Sequence, residues 1–166
     1  MAVLACPFDL PQGRLLALDL GQARHGVAVS DASGNIATPM TALARARTRE
    51  ADFAAIARIV AAEKVAGVLV GRPDSGGEER GAMARWATRY GGRLAGHLPV
   101  PVAFWDETLT SSDAASLLAE TGSRRSIDAA AAALLLQDFL DRRREAARES
   151  VGSSCDGAVP LIGGLA

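Results

Sequence analysis

Lysine is almost missing from this chain: Lys64 stands alone among 166 residues, and arginine carries the rest of the positive charge. Such a bias follows from genome composition, so arginine content by itself does not point to a nucleic-acid partner. Neither sign of charge is in excess, with 18 basic residues against 19 acidic ones, so any polyanion must be held by local patches. Cysteine is scarce as well. Cys6 and Cys155 lie near opposite ends and outside any CxxC spacing, which excludes a zinc cluster or a disulfide framework and leaves two free thiols in a reducing compartment. Histidine occurs twice, as His25 and His97, too few for an imidazole-rich metal site, and both read as structural or surface residues. No run of about 18 apolar residues exists to span a bilayer. Residues 1–11 lack the basic flank and apolar stretch of a secretion signal. The expected location is the cytoplasm. What the chain does have is 49% hydrophobic residues in a length that suits one domain with its own core.

Residues 14–20 (RLLALDL) form a nearly continuous apolar run, the pattern of a strand buried on both faces. A turn with a glycine at each end, 21–26, leads to a second strand at 27–30, making a hairpin. Residues 36–43 predict a third strand, placed at a sheet edge by Pro39. A helix follows at 50–64, where Phe53, Ile56, Ala57 and Val60 share one face. Further strands are predicted at 67–71 and 100–105, with a loop at 72–77. Helices are predicted at 78–90, 111–120 and from 127 to about 144. The expected architecture is α/β: a mixed five-stranded sheet with helices on both faces. Residues 1–12 are expected to be a flexible lead, 13–145 the domain, and 146–166 a disordered tail rich in glycine and serine.

Three carboxylates occupy unusual places. Asp19 sits within the most apolar strand, where an ionised group is costly unless paired or metal-bound. Glu107 closes the last strand, and ligands of open α/β sheets gather beyond the carboxyl ends of parallel strands. Asp128 shares a helical face with Ala131, Ala132, Leu135 and Phe139, a face that must turn inward. Read singly, Asp19 also suits a cap of the glycine turn, and Glu107 and Asp128 suit first-turn helix positions favoured by the dipole. Read together, three inward carboxylates on three elements repel one another without a cation. Oxygen donors alone suit Mg²⁺ or Mn²⁺. Two such ions, roughly 4 Å apart, would activate water and stabilise the departing oxygen of a phosphodiester.

These residues also carry a resemblance. Leu18-Asp19-Leu20-Gly21, with Arg24 and the run from Gly26 to Asp31, resembles the opening motif of the YqgF/RuvX family. Val68-Leu69-Val70-Gly71-Arg72-Pro73, Trp105-Asp106-Glu107-Thr108-Leu109-Thr110-Ser111 and Ile127-Asp128-Ala129-Ala130 resemble its later motifs, in order, across about 13–144. The resemblance implies an RNase H-like fold. It implies Asp19, Glu107 and Asp128 as catalytic, metal-binding carboxylates. It implies a metal-dependent endonuclease acting in 5′-end maturation of pre-16S rRNA, with ribosomal precursor particles among its partners. A Holliday junction resolvase and a non-catalytic RNA-binding assembly factor stay open as alternatives, as do monomer and homodimer. Thr108 stands where the family pattern has arginine, and Arg72 where it has leucine. Arg24, Arg124 and Arg125 are candidates to take over phosphate contact, with Arg72 beside them on the following loop. Arg85, Arg89 and Arg93 make a further stripe, and Arg45, Arg47 and Arg49 another group, each read as a solvated surface or a backbone-holding patch. Trp86 and Trp105 read as core residues.

Overall fold

The computed structural model describes residues 2–73, 77–107 and 123–153, with Glu107, Arg124–Ser126 and 151–153 described as backbone only. The described elements run β1 (Leu15–Leu20), β2 (Arg24–Ser30), β3 (Ala37–Ala44), α1 (Arg49–Ala62), β4 (Gly67–Pro73), α2 (Glu78–Ala95), β5 (Val102–Glu107) and α3 (Arg124–Ser153). The sheet has the order β3-β2-β1-β4-β5. The first three strands pair antiparallel, while β1, β4 and β5 run parallel. This is the mixed five-stranded sheet that the sequence predicts.

Alternation along the strands splits the core in two. Leu16, Leu18, Val27, Val68 and Val70 pack with Phe53, Ile56 and Val60 of α1 and Ala87, Tyr90 and Leu94 of α2. Leu15, Ala17, Ala28, Leu69 and Ala103 pack with Ala132, Leu135, Leu136, Phe139 and Leu140 of α3. Helices therefore cover both faces, and β1 lies at the centre, buried on each side, as its apolar run requires. Among the described residues no helix is long and apolar enough to cross a membrane.

Pro39 does lie on an edge strand. The register shifts between Val27, opposite Thr41, and Ala28, opposite Pro39, so Met40 is the extra residue of a bulge. Helix α1 opens on Thr48, whose hydroxyl accepts from the Ala51 amide, with Glu50 and Asp52 in the first turn where the helix dipole favours them.

Three boundaries differ from expectation. Residues 2–12 contact the domain at several points. Val3 bridges Val102, the Leu4 amide donates to the Val102 carbonyl at 2.8 Å, and Leu10 is buried. Phe8 lies 5.7 Å from Trp105 and 5.9 Å from Phe139, ring centre to ring centre. The anchoring partners come from β5 and α3, more than 90 residues along the chain, which a local reading does not see. Strand β4 continues through Arg72 and Pro73, because both pair with β5. Helix α3 starts at Arg124 and runs to Ser153, so the stretch expected as a tail begins helical. The helix predicted at 111–120 lies outside the described residues.

Candidate active site

The parallel strands β1, β4 and β5 end on one edge of the sheet, and β2 begins there. Asp19, one residue before the end of β1, is paired across the sheet with Gly26 of β2. It borders a cleft of about 290 Å³ that Gly71, Pro73, Glu79 and Met83 also line. In strand alternation Asp19 follows Leu15 and Ala17, the residues that pack on α3.

Gly26 is where α3 meets the sheet. A Cβ built on Gly26 would stand 1.9 Å from the Asp128 carbonyl oxygen and 2.6 Å from its carbonyl carbon. Only glycine lets the two backbones approach this closely. The contact brings the opening turns of α3, with Asp128, against the strand position opposite Asp19. The backbone positions of two of the three predicted carboxylates thus adjoin one glycine. The third, Glu107, ends β5 in register with Pro73 of β4, on the same sheet edge.

Asp128 does not turn fully inward as its helical spacing predicts. The buried stripe of α3 runs through Ala129, Ala132, Leu136 and Phe139, and Asp128 lies at its margin with its side chain 33% exposed. From there its Oδ2 accepts from Arg24 Nε at 2.9 Å. Of the arginines predicted to touch nucleic acid, Arg24 is therefore paired inside the site. Arg72 donates to Asp106 Oδ1 at 2.6 Å with its guanidinium over the Phe104 ring, and the Asp106 hydrogen bond raises its pKa. Arg124 and Arg125 stand at the start of α3, described as backbone. Arg72, Arg85 and Arg89 line a groove of about 560 Å³ beside Asp106.

The donor set suits a hard cation. Asp19 and Asp128 offer carboxylate oxygen, and His25 is fully buried and engaged elsewhere. Among the described residues no group of three acid, histidine or cysteine side chains forms a metal cluster.

Sequence reasoning missed a buried polar line behind the site. The Gly21 amide donates to His25 Nδ1 at 3.3 Å, which leaves the imidazole proton on Nε2. Nε2 lies 3.2 Å from Tyr90 Oη, and the Tyr90 hydroxyl donates to Asp52 Oδ2 at 3.4 Å. Asp52 also accepts from the Ala46 amide. Burial pushes the His25 pKa down, against the pull of Asp52, and pushes that of Tyr90 up. The line fixes the 21–24 turn that joins Asp19 to Arg24. One signal in the sequence marks it: Asp52 precedes Phe53 and is spaced four and eight residues from Ile56 and Val60, which places an acid on the inner face of α1. His25 and His97 are, as expected, a core and a surface residue, and Trp86 and Trp105 pack against the two core clusters.

Comparison with known proteins gives this arrangement relatives. The solved structure titled "T. thermophilus RuvC in complex with Holliday junction substrate" superposes with a TM-score of 0.55 at 14% identity, covering 80% of this chain and 96% of that one. The likeness confirms an RNase H-like fold. A protein of Chloroflexus aurantiacus named "Putative pre-16S rRNA nuclease" is 41% identical over 135 residues, 78% of this chain and 88% of the relative. One of Mycobacteroides abscessus with the same name is 38% identical over 149 residues, 86% of this chain and 90% of the relative. The family model described as "RuvX: Holliday junction resolvase" matches residues 13–142, and by that match this chain belongs to the RuvX family.

Proposed function

We propose that this RuvX-family nuclease hydrolyses phosphodiester bonds of precursor 16S rRNA in the cytoplasm, with Asp19, Glu107 and Asp128 as the carboxylates that hold Mg²⁺ or Mn²⁺. The observation that carries the reading is the contact at Gly26, which places the opening of α3 and Asp128 against the strand position opposite Asp19. The curated relatives named for pre-16S rRNA favour that substrate over branched DNA.

When bound, the divalent ions supply Lewis acidity that activates water and stabilises the departing oxygen in an in-line displacement. The chain's own residues prepare the geometry. β1 presents Asp19 from a rigid central strand, and Gly26 sets the depth at which Asp128 arrives. Arg24 orients the Asp128 carboxylate through Oδ2, and its planar fork suits a backbone phosphate. Arg124 and Arg125, four and three residues ahead of Asp128 in sequence, are the further candidates for phosphate contact.

A second reading, an assembly factor that holds RNA without cutting it, is favoured by one observation: an arginine already occupies an oxygen of Asp128. One experiment separates the two. A pre-16S fragment and a four-way DNA junction are incubated with Mg²⁺, Mn²⁺ or chelator, with the unaltered chain and with Asp19→Asn. The nuclease reading requires RNA cleavage that needs metal and disappears in Asp19→Asn. Cleavage of the junction alone would transfer the function to DNA. Tight RNA binding without product under every metal condition would replace the enzyme with the binder.

A further inference from the structure

Beside the 21–24 turn, Arg45, Arg49, Arg89 and Arg93 line one cleft of about 330 Å³, with Trp86 and Tyr90. In sequence these arginines belong to two separate groups. The fold unites them because Arg45 and Arg49 flank the start of α1, while Trp86, Arg89, Tyr90 and Arg93 follow one another down a face of α2. The chain as a whole carries a net charge of −1, so four guanidinium groups in one cleft are a local concentration that composition does not require.

Most of that charge is uncompensated. Arg45 lies 3.6 Å from Asp52, whose carboxylate is buried. Arg49, Arg89 and Arg93 form no ion pair among the described residues, and all three are exposed. Like charges gathered this way raise the energy of the empty cleft and lower it when a polyanion enters. The cleft is also partly rigid. The Arg45 guanidinium lies 5.3 Å from the centre of the Trp86 ring and donates to the Gln22 carbonyl at 3.1 Å, and the Arg45 amide donates to the Ala23 carbonyl at 3.1 Å. Gln22 and Ala23 belong to the turn between Asp19 and Arg24. The cleft thus adjoins the proposed cutting site through the turn itself.

We propose that this cleft is a second phosphate-binding site, one that grips the nucleic-acid strand away from the scissile bond; the proposal rests on the nucleic-acid-cleaving function above and adds where the substrate is held. Phosphodiester backbone is the chemistry that fits. Arginine forks bind phosphate through paired N–H donors, and a half-buried tryptophan edge offers a base or ribose an apolar neighbour. The strand would run from the carboxylates over the 21–24 turn and along α2. Substrates that extend to this side of the cut would bind more tightly than those that stop at it.

The test uses the full chain and the double variant Arg89→Gln/Arg93→Gln. Both positions are exposed helix residues, so the fold should survive, and circular dichroism checks that it does. Binding of a single-stranded RNA of about 20 nucleotides is followed by anisotropy across salt, where the variant should lose roughly tenfold in affinity at 0.1 M and about 1.4 from the slope of log K against log salt. A charge-matched control, Arg58→Gln/Arg148→Gln, removes two exposed arginines that do not line the cleft and should bind as the unaltered chain does. Equal affinity and slope for the cleft variant and the unaltered chain would overturn the proposal while leaving the nuclease intact. So would equal losses for the cleft variant and the control. A polyglutamate that displaces RNA charge for charge would assign the cleft to an acidic protein surface and also overturn it. If the cleft variant loses RNA affinity while the unaltered chain binds RNA but cleaves neither RNA nor DNA, the cleft stands and the nuclease reading falls.

Discussion

Arg24 and Asp128, 104 residues apart, are joined Nε to Oδ2 at 2.9 Å, a guanidinium on the oxygen that a divalent ion would need. An arginine and a metal compete for one carboxylate. Removing the arginine should therefore tighten metal binding. Arg24→Ala is expected to bind Mn²⁺ about two- to fivefold more tightly by titration calorimetry, the scale of a pair that is one-third exposed. Asp128→Asn should weaken the same binding. An unchanged Mn²⁺ affinity in both variants would remove Asp128 from the ligand set.

Gly26 offers a steric test. A methyl group there meets the Asp128 carbonyl oxygen at 1.9 Å, and backbone atoms on both sides leave no flexible side chain to yield. Gly26→Ala should push α3 off the sheet, lowering stability by about 3 kcal/mol in urea and abolishing cleavage. A variant with unaltered unfolding midpoint and full activity would show that the close approach is dispensable.

His25 gives the pH dependence a sign. Burial lowers its pKa in the folded chain, so the unfolded chain takes up the proton first as the medium is acidified. The stability due to the neutral imidazole is complete above the unfolded value of about 6.5 and declines as pH falls from there to the folded value, by at most about 1.4 kcal/mol per pH unit. Urea midpoints between pH 7.5 and 5 should fall more steeply for the unaltered chain than for His25→Gln. Parallel profiles would mean that the imidazole does not titrate on unfolding.

The first twelve residues should matter to stability, although they precede the segment matched by the family model. Leu10 is buried in the α3-side core, and Arg143 donates to its carbonyl. A chain beginning at residue 13 should lose about 3 kcal/mol, most of it from uncovering Leu10 and the Phe139 and Trp105 rings. Equal thermal midpoints for the two lengths would show that the lead is passive.

Much of the fold was legible because its signals are local. The run around Asp19 is apolar on both sides, and such a strand belongs in the middle of a sheet; it is the third of five. Pro39 forecast an edge, since it lacks the amide that an inner strand needs. The family motifs named Asp19 and Asp128, and only the fold shows that the backbones carrying them adjoin at Gly26. What stayed hidden depends on distant partners. Tyr90 and His25 look ordinary alone, Asp52 shows only as an acid on an apolar helix face, and their line spans 65 residues of sequence. Arg45 with Arg49, and Arg89 with Arg93, read as two surface groups until α1 and α2 set them side by side. Phe8 and Leu10 read as a loose lead because the residues that cover them come from β5 and α3.

The line from the Gly21 amide through His25, Tyr90 and Asp52 to the Ala46 amide ties its three side chains to one another. Each is at most 4% exposed, so losing one strands its neighbours as polar groups in a solvent-excluded interior. Apolar replacement of the whole trio would in turn leave the Gly21 and Ala46 amides without acceptors, so a change at any of the three should surface first as a misaligned turn at Asp19.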